Sequence, residues 1–340
     1  MELLKGILAR LRRIGVDTYL LALLGMVLLG SVLPASGDFA ALVRVVSQIA
    51  VALLFFLYGA RLDTSTVIAG FANWRLQGLV FLTTFGFFPL LALVISLLIG
   101  GLIDPAIGMG ILFLGALPST VQSSIALTGL ARGNVAAAVC AASISNMIGV
   151  VLTPLLCALL LHSEGGIDPA AIGSVAVQIL LPFVVGQLLR RWIGAWVKSH
   201  RMLTLSVDRG SILLIVYSAF SAGMVSGVWS QAGLVPLLIT LVTVIAMFFI
   251  AKLFTEWSGK AAGLPEPDRT TLLFCGSTKS LASGVPIATI LFAPELVSLI
   301  ILPIMLYHMF QLIASAVIAQ QKSLRFQLEE AQAKAEAEAT

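Results

Sequence analysis

The chain has 340 residues, of which 59% are hydrophobic and 11% are charged. A soluble protein has roughly 45–50% apolar and about 25% charged residues, so this composition excludes a soluble globular protein and indicates a polytopic membrane protein. The net charge of +4 does not indicate a nucleic-acid partner, because the placement of Lys and Arg along the chain accounts for it.

Residues 1–15 form a basic amphipathic segment. Leu3, Ile7 and Leu11 recur at helical spacing beside Lys5 and Arg10, which predicts a helix lying on an anionic membrane face. Its small residues do not form a cleavage site, so we expect the segment to stay on the protein.

Ten apolar stretches follow, and each is close to the ~20 residues that a helix needs to cross a 30 Å hydrocarbon core. The predicted transmembrane helices lie near residues 16–34, 42–60, 77–100, 106–130, 135–161, 171–189, 207–227, 234–254, 269–292 and 296–319. The tail at 321–340 is rich in Ala and Glu, which favours a solvated helix that we expect to be dispensable for transport.

Nearly all of the 20 Lys and Arg residues lie on one side of these spans. The opposite loops carry Asp38, Asp104, His162, Glu164, Asp168 and Glu295. By the positive-inside rule, both termini are cytoplasmic in a multi-pass protein of a bacterial-type inner membrane. Arg44 and Lys279 are the two basic residues that remain near or inside the membrane.

Polar runs interrupt two of the apolar stretches. The first run is residues 117–124, which include Pro118, and the second is residues 276–280. Proline removes a backbone donor, and Ser and Thr offer the backbone other partners, so both helices should open partway across. Opened backbone at membrane depth must be buried in protein or line a wet cavity, which makes both breaks candidate binding sites.

The two breaks are 158 residues apart, and weaker matches between the two halves share this offset. The halves are residues 16–161 and 171–320, with five predicted spans in each. Five is an odd number, so the second half must be inverted relative to the first. Inverted repeats with paired broken helices are typical of secondary transporters.

Three motifs carry a resemblance to a known family. They are PSTVQSS at 118–124, ARGNVA at 131–136 and FCGSTKSLASGVP at 274–286. The chain resembles the bile acid:sodium symporter superfamily, and within it the YfeH-type branch that includes the seventh member of human solute carrier family ten. The resemblance implies a panel domain of spans one, two, six and seven and a core domain of the other six. The broken fourth and ninth spans would cross in the core, with substrate between panel and core and sodium behind the crossing.

The chain departs from the sodium ligands of the well-studied branch of this family. That branch has a Glu and a Gln in the ninth span, a Ser-Asn pair in the fourth and a Gln before the proline of the third. The corresponding residues here are Ser277 and Leu281, then Gln122 and Ser123 (or Ser123 and Ser124 after a shift of one residue), and Thr84. The charged ligand is missing, so sodium and proton coupling are both kept open.

Lys279 adds a positive charge within the second break. One hypothesis is that it replaces a bound cation, with its ammonium donating to the hydroxyls of the fourth span, or that it titrates and couples transport to protons. The alternative is a structural lysine that pairs with carbonyls at a helix C-terminus. His308, near Gln311, has a similar pair of interpretations, a proton relay or a hydrogen-bonded packing residue, and its apolar neighbours favour the second.

The candidate residues fall into two groups. The ion-site and crossover group is Ser119, Thr120, Gln122, Ser123, Ser124, Ser277, Thr278, Lys279 and Ser280, with Thr84, Ser143 and Asn146. The substrate-cleft group is Tyr58, Arg61, Tyr217, Ser218 and Ser221. The hydroxyl residues could instead join helices to one another. We expect no catalytic residue and no cofactor other than a sodium ion, whose ligands are left open.

The sequence thus predicts a symporter-like secondary transporter of a small organic anion that works by alternating access. A non-transporting membrane regulator of ion homeostasis is the alternative. An intramembrane hydrolase is less favoured, although Ser283 lies four residues from Lys279, as a Ser-Lys pair would require. Membrane lipid and the anion are the expected partners, and the oligomeric state, including a homo-oligomer, is left open.

Overall fold

A computed structural model of the chain describes residues 18–61, 73–161, 176–227, 229 and 233–339, and within these ranges every regular element is a helix. The segment predicted as helical at 1–15 lies outside the described residues. The α-helices are α1 Thr18–Val32, α2 Gly37–Arg61, α3 Trp74–Leu82, α4 Phe88–Ile99, α5 Pro105–Ala116, α6 Gln122–Leu130, α7 Val135–Leu161, α8 Leu181–Ser199, α9 Arg201–Val225, α10 Leu234–Ala261, α11 Glu266–Ser277, α12 Leu281–Leu291 and α13 Pro294–Ala339. Two short π-helices, π1 Thr83–Phe87 and π2 Ala176–Leu180, lie directly before α4 and α8.

Within the described ranges, six helices are long and apolar enough to cross a membrane. They are Gly37–Arg61, Trp74–Ile99, Val135–Leu161, Met202–Val225, Leu234–Ala261 and Pro294–Leu328. Shorter apolar helices occur at Leu21–Val32 and Pro105–Ala116. The prediction of an all-helical polytopic membrane protein is therefore confirmed, whereas the ten spans, the inverted repeat and the panel and core domains stay predictions.

Both predicted breaks are present. The chain is extended at Leu117, with ψ 152°, between α5 and α6, and at Thr278, with ψ 150°, between α11 and α12. Pro118 explains the first break, since it has no N–H to continue α5. The break of residues 278–280 has no proline of its own and ends where the Ser280 side chain accepts a hydrogen bond from the Ser283 N–H and starts α12.

A π-helical turn precedes Pro89 in the rod formed by α3, π1 and α4. The Phe88 N–H bonds to the carbonyl of Thr83, five residues back, instead of to that of Thr84. Pro89 has no N–H to offer the Thr84 carbonyl. As a result, the helix leaves this carbonyl oxygen available to another group. A proline also follows π2, at position 182.

The helices pack in two groups. In the first, α8 lies along α2, and α9 packs on α1 and α2. Backbones approach closely where α2 meets α8, because a Cβ on Gly59 would collide with the Phe183 carbonyl and one on Gly186 would collide with that of Phe56. In the second group, α13 packs on α5, α10 and α12, and α10 packs on α11. Helix α9 also contacts α12 and α13 and so joins the two groups.

Candidate functional site

The two breaks meet inside the second group of helices. The Ser280 N–H donates to the Pro118 carbonyl at 2.8 Å. Thr278 Oγ1 lies 3.0 Å from Ser119 Oγ and 3.0 Å from Thr120 Oγ1. These side chains are buried. The family resemblance implies that these two breaks cross, and the two breaks do contact each other directly; this contact is called the crossing below.

Thr278 is the centre of a hydroxyl cluster that also contains Ser119, Thr120, Ser123 and Ser124. Ser124 Oγ lies 2.9 Å from Thr278 Oγ1 and 2.7 Å from Thr120 Oγ1. Ser123 Oγ donates to Thr120 Oγ1 at 2.7 Å. The first turn of α6 and the second break are thus bonded to each other through short side chains.

Helix α7 supports the first break from behind. Ser145 Oγ accepts from the Ser119 N–H at 3.0 Å, and Asn146 Nδ2 donates to the Ser119 carbonyl at 2.8 Å. Asn146 Oδ1 accepts from Ser283 Oγ of α12 at 2.9 Å. Asn146 therefore holds both broken helices, whereas Ser143 lines a cavity described below.

Lys279 is fully buried beside this cluster. Its Nζ donates to three carbonyl oxygens, those of Thr84 at 2.9 Å, Gly115 at 2.8 Å and Leu117 at 2.7 Å. An ammonium group has three protons, so its hydrogen-bonding capacity is filled. The Phe88 ring lies 4.2 Å from Nζ and adds a cation–π contact.

Each of the three carbonyls is available for a local reason. Pro89 and π1 free the Thr84 carbonyl. Gly115 lies in the last turn of α5, and the N–H that would bond to it in a continuing helix, that of Ser119, goes to α7 instead. The Leu117 carbonyl is part of the extended break. Because carbonyls at a helix C-terminus carry partial negative charge, the end of α5 stabilises the lysine charge without a carboxylate.

This arrangement corrects the expectation that the ammonium donates to the hydroxyls of the fourth span. Ser119, Thr120, Ser123 and Ser124 bond to one another and to Thr278 instead. The structural alternative, a lysine paired with helix-end carbonyls, describes the contacts correctly. Thr84, expected in place of a sodium-binding Gln, contributes its backbone carbonyl, and its buried hydroxyl has no hydrogen-bond partner in the described part of the chain.

A sodium ion does not fit beside the Lys279 ammonium. A hard cation needs several free oxygen ligands, but Lys279 takes the three carbonyls and the nearby hydroxyls are within hydrogen-bonding distance of one another. A second positive charge ~4 Å away would be repelled by about 4 kcal/mol at an effective dielectric of ~20. Ser277 Oγ, at the position of the missing carboxylate, donates to the Leu273 carbonyl. In the described ranges no cluster of three or more His, Cys, Asp or Glu residues could hold a metal ion.

Gln311 of α13 holds the backbone of Lys279 from the other side, a role that was not predicted from the sequence. Its Oε1 accepts from the Lys279 N–H at 2.8 Å, and its Nε2 donates to the Lys279 carbonyl at 2.9 Å. Nε2 also lies 2.9 Å from His308 Nδ1. Tyr307 donates to the Ser277 carbonyl at 2.6 Å. The signal in the sequence was the polar set at 307, 308 and 311, which helical spacing places near one another.

A cavity of about 670 Å³ lies between the two groups of helices and reaches the crossing. Three basic side chains line it: Arg61, Lys198 and Arg209. Its polar wall comprises Thr120, Gln122, Ser123, Ser143, Asn146, Ser280 and His308, and Tyr19 and Tyr58 are also present. No Asp or Glu is among the described residues that line it. The cavity combines a basic region with hydroxyl and amide groups from both breaks and α7.

The predicted substrate-cleft residues are divided between two places. Tyr58 and Arg61 line the large cavity. Ser218 and Ser221 line a second cavity of about 340 Å³, which also contains Arg44 and Glu295. Tyr217 donates to the Leu33 carbonyl at 3.0 Å. The five residues therefore do not form one cleft. Lys198 and Arg209 were not predicted to line the cavity, because their position next to predicted spans was interpreted as setting the membrane topology.

Comparison with known proteins finds one matching family and several relatives that cover most of the chain. The sequence model of the SBF-like CPA transporter family matches residues 17–323. The chain is 41% identical over 325 residues to the putative symporter YfeH of Escherichia coli K12, covering 95% of this chain and 97% of YfeH. It is 48% identical over 311 residues to the uncharacterized protein PA2026 of Pseudomonas aeruginosa, covering 91% of this chain and 93% of that protein. It is 29% identical over 277 residues to the rat sodium/bile acid cotransporter 7, covering 80% of this chain and 82% of that protein.

Proposed function

The chain belongs to the SBF-like CPA transporter family, and from this premise we propose that it is a secondary active transporter that moves a small organic anion by alternating access. The names of its relatives support the class of function, since one is called a symporter and another a sodium/bile acid cotransporter. The proposed substrate and coupling ion are argued below from the residues of the cavity and of the two breaks.

The observation that carries the proposal is the cavity of about 670 Å³ that reaches the crossed breaks. A broken helix inside a membrane protein presents backbone and hydroxyl groups that can bind and release a polar solute. Here, residues from both broken helices, Thr120, Ser123 and Ser280, line the same cavity. A small movement of the two breaks would therefore change the groups that contact a solute in the cavity.

The basic side chains support an anionic substrate. Arg61 ends α2, Lys198 lies next to the end of α8 and Arg209 lies in α9, so three different helices bring positive charge to one cavity. Arg side chains bind carboxylate, sulfate and phosphate groups through two parallel hydrogen bonds. The apolar wall, which includes Val139, Met147, Val150 and Phe183, suits a substrate with an apolar body. An amphipathic organic anion matches both features.

Alternating access would move the two groups of helices relative to each other. The contacts of α9 with α12 and α13 form the joint between them, and the close α2–α8 contact at Gly59 and Gly186 favours movement of the first group as one body. The proposed topology puts both termini in the cytoplasm of a bacterial-type cell, which places the basic region of the cavity on the cytoplasmic side.

Lys279 has a stabilising role in this mechanism. Its ammonium joins the second break to π1, to the end of α5 and to the first break, as a bound cation could in a protein that lacked the lysine. Sodium would then not be required at this position. Coupling to a sodium gradient through another site, or to a proton gradient, is decided by the experiment below.

The test uses the purified full-length protein. Thermal unfolding is first measured with taurocholate, citrate and octyl phosphate, since a ligand at about 100 times its Kd stabilises the folded state by about 2.7 kcal/mol. Uptake of any stabilising anion into proteoliposomes is then followed under a sodium gradient, a pH gradient or neither. Arg61→Gln and Arg209→Gln should lower uptake at least tenfold. Arg75→Gln is the matched control, since Arg75 lies over the Trp74 ring outside the cavity.

Anion-dependent uptake that falls in the two cavity variants and not in the control would support the proposal. If none of the three anions stabilises the protein and none is taken up under any gradient, the transporter proposal for this class of anions is wrong, and the non-transporting regulator becomes the better hypothesis. A hydrolase has less support, because all three protons of the Lys279 ammonium go to carbonyl oxygens and none to a serine.

A further inference from the structure

His308 belongs both to the wall of the large cavity and to a hydrogen-bond chain that ends in the second break. It lines the cavity together with Ser280 and Leu312. On its other side, Nδ1 lies 2.9 Å from Gln311 Nε2, and Gln311 makes two hydrogen bonds to the Lys279 backbone. The Gln311 side chain therefore connects His308, in the cavity wall, with the backbone of the second break.

The Lys279 backbone determines the orientation of the Gln311 amide. A peptide N–H can only donate and a carbonyl can only accept, so Oε1 must face the N–H at 2.8 Å and Nε2 must face the carbonyl at 2.9 Å. The second proton of Nε2 then points at His308 Nδ1, which must accept it. This hydrogen-bond pattern requires a neutral His308 that carries its ring proton on Nε2.

A proton on His308 Nδ1 is incompatible with this chain of hydrogen bonds. An imidazolium donates from both nitrogens, so Nδ1–H and the Gln311 amide protons would face each other. Rotation of the amide by half a turn gives His308 an acceptor, but it places Nε2 against the Lys279 N–H and Oε1 against the Lys279 carbonyl. Both hydrogen bonds to the break are then lost, and Gln311 is too deeply buried for water to replace them.

Charged and titratable groups from several helices share the cavity with His308. In the cavity these are Tyr19 of α1, Tyr58 and Arg61 of α2, Lys198 of α8 and Arg209 of α9. Lys279 lies behind Gln311, α10 meets α13 through the rings of Phe248 and Phe249 on Phe310, and the described lining residues from α6, α7 and α12 are uncharged. The positive neighbours oppose a further positive charge on the imidazole, and a bound anion would offset them.

We infer that His308 is the proton-binding site of this protein, that proton and anion enter the cavity together, and that protonation releases the break at Lys279 through Gln311. Linkage requires the coupling to be reciprocal, so an anion that favours the proton is itself bound more tightly at lower pH. The inference rests on the proposed function for the anion. The release of the break by a proton does not need a substrate and can be measured alone.

The experiment follows backbone hydrogen exchange of the full-length protein in lipid nanodiscs between pH 5.5 and 8, corrected for the intrinsic rate. Exchange at the Lys279 amide should rise on the order of tenfold as pH falls, since two buried hydrogen bonds are lost. In His308→Gln the new amide oxygen accepts from Gln311 and does not titrate, so exchange should stay slow at every pH. His308→Lys, which cannot accept, should exchange quickly at every pH. His200→Gln is the control, because His200 is exposed at the end of α8, and should match the wild type.

The second measurement is nitrogen-15 NMR of histidine-labelled protein, in which the imidazole signal that is lost in His308→Gln belongs to His308. In wild type this imidazole should carry its proton on Nε2 at pH 8 and become doubly protonated at lower pH. A proton on Nδ1 of His308 at pH 8, or pH-independent exchange at Lys279 in wild type, would overturn the inference. The inference would also be overturned if exchange at the Lys279 amide in His308→Gln depended on pH as it does in wild type. Anion uptake that does not depend on pH and is unchanged in His308→Gln would reject the proton site and leave the proposed function standing. Conversely, pH-dependent exchange at the Lys279 amide without any anion uptake would support the proton site and reject the proposed function.

Discussion

Three backbone carbonyls hold the Lys279 ammonium, and the groups that expose them are Pro89, the end of α5 and the Pro118 break. The sequence identified Lys279 and both breaks. It could not show which groups accept hydrogen bonds from the Lys279 ammonium, because every residue has a backbone carbonyl. The choice depends on which carbonyls lose their helical partner, and this required knowing that π1 shifts the Phe88 N–H to Thr83.

Replacement of the lysine tests this arrangement at the scale of one residue. We expect Lys279→Met to lower the free energy of unfolding by about 2–4 kcal/mol, because three buried carbonyls lose their donor and only part of this cost is offset by removing a buried charge. Thermal and denaturant unfolding in detergent measure the change. Lys252→Met is the matched control and should cost at most about 0.5 kcal/mol, since Lys252 pairs with Glu256 on the helix surface. Equal losses in the two variants would contradict the assignment.

A second buried polar group lies where three helices begin. Asp268 is 8% exposed and accepts from Asn73 Nδ2 at 2.8 Å and from Asn134 Nδ2 at 2.9 Å. Asn134 also caps α7, since its Oδ1 accepts from the Ala137 N–H at 3.0 Å. Asn is one of the residue types favoured at this cap position, but the sequence does not show that its amide pairs with Asp268, which is 134 residues away.

We expect Asp268→Ala to lower the free energy of unfolding by about 2–3 kcal/mol, because two asparagine amides lose a charged acceptor. Differential scanning calorimetry or chemical unfolding would measure it. Glu256→Ala is the control. It removes a carboxylate on α10 whose side chain is 38% exposed and should change the free energy of unfolding by less than about 1 kcal/mol. A loss at Asp268 no larger than this control would show that the junction is not stabilising.

At the scale of whole elements, the two π-helices differ in what they support. Each lies directly ahead of a helix whose second residue is proline, at 89 and at 182. Only π1 places a freed carbonyl against an ammonium group, that of Lys279. Apolar periodicity predicted a helix over both regions and could not reveal the extra residue in the turn, because a π-turn changes the register without changing the composition.

Pro89→Ala should therefore impair function more than Pro182→Ala. The new N–H at position 89 can bond to the Thr84 or Phe85 carbonyl, which favours a regular helix and competes with Lys279 for an acceptor. We expect uptake in proteoliposomes to fall several-fold while thermal stability falls little, since removing a helical proline is favourable in itself. Similar uptake in the two variants would indicate that the π1 turn has no role beyond packing.

At the scale of the whole molecule, the predicted tail is the continuation of the longest helix. Helix α13 runs without interruption to Ala339, through the 321–340 segment that composition marked as solvated. Lys322 bonds to Glu266 at 2.7 Å, and the Arg132 guanidinium lies 5.6 Å from the Phe326 ring. The start of the tail is thus attached to α11 and to the turn after α6, a contact that hydropathy has no means of showing.

Two truncations separate the attached part of the tail from the rest. A chain ending at Leu328 keeps both contacts and should unfold at the wild-type temperature. A chain ending at Gln320 loses them and should be less stable by about 1 kcal/mol at pH 7. Equal stability of the two truncated chains would show that these contacts of the tail do not stabilise the fold.

The difference between the truncations should depend on pH. Burial raises the pKa of Glu266, but the hydrogen bond and charge of Lys322, together with those of Arg269, outweigh it and leave the pKa below its usual value. A lowered folded-state pKa contributes stability that is present above about pH 4.3, the unfolded value, and is lost as pH falls through the folded value. We expect the longer chain to keep its advantage at pH 6 and to lose part of it below about pH 4, as measured by thermal unfolding.

The covalent attachment of Lys279 has a consequence for electrical behaviour. A diffusible ion bound at the crossing would leave on the far side of the membrane, whereas a lysine returns with the protein at the end of every turnover. Under the proposed mechanism with a proton as the coupling ion, the net charge carried per cycle is then set by the solute and the proton. A singly charged anion with one proton would cross without current, and a doubly charged anion with one proton would be driven out of the cell by a negative interior voltage.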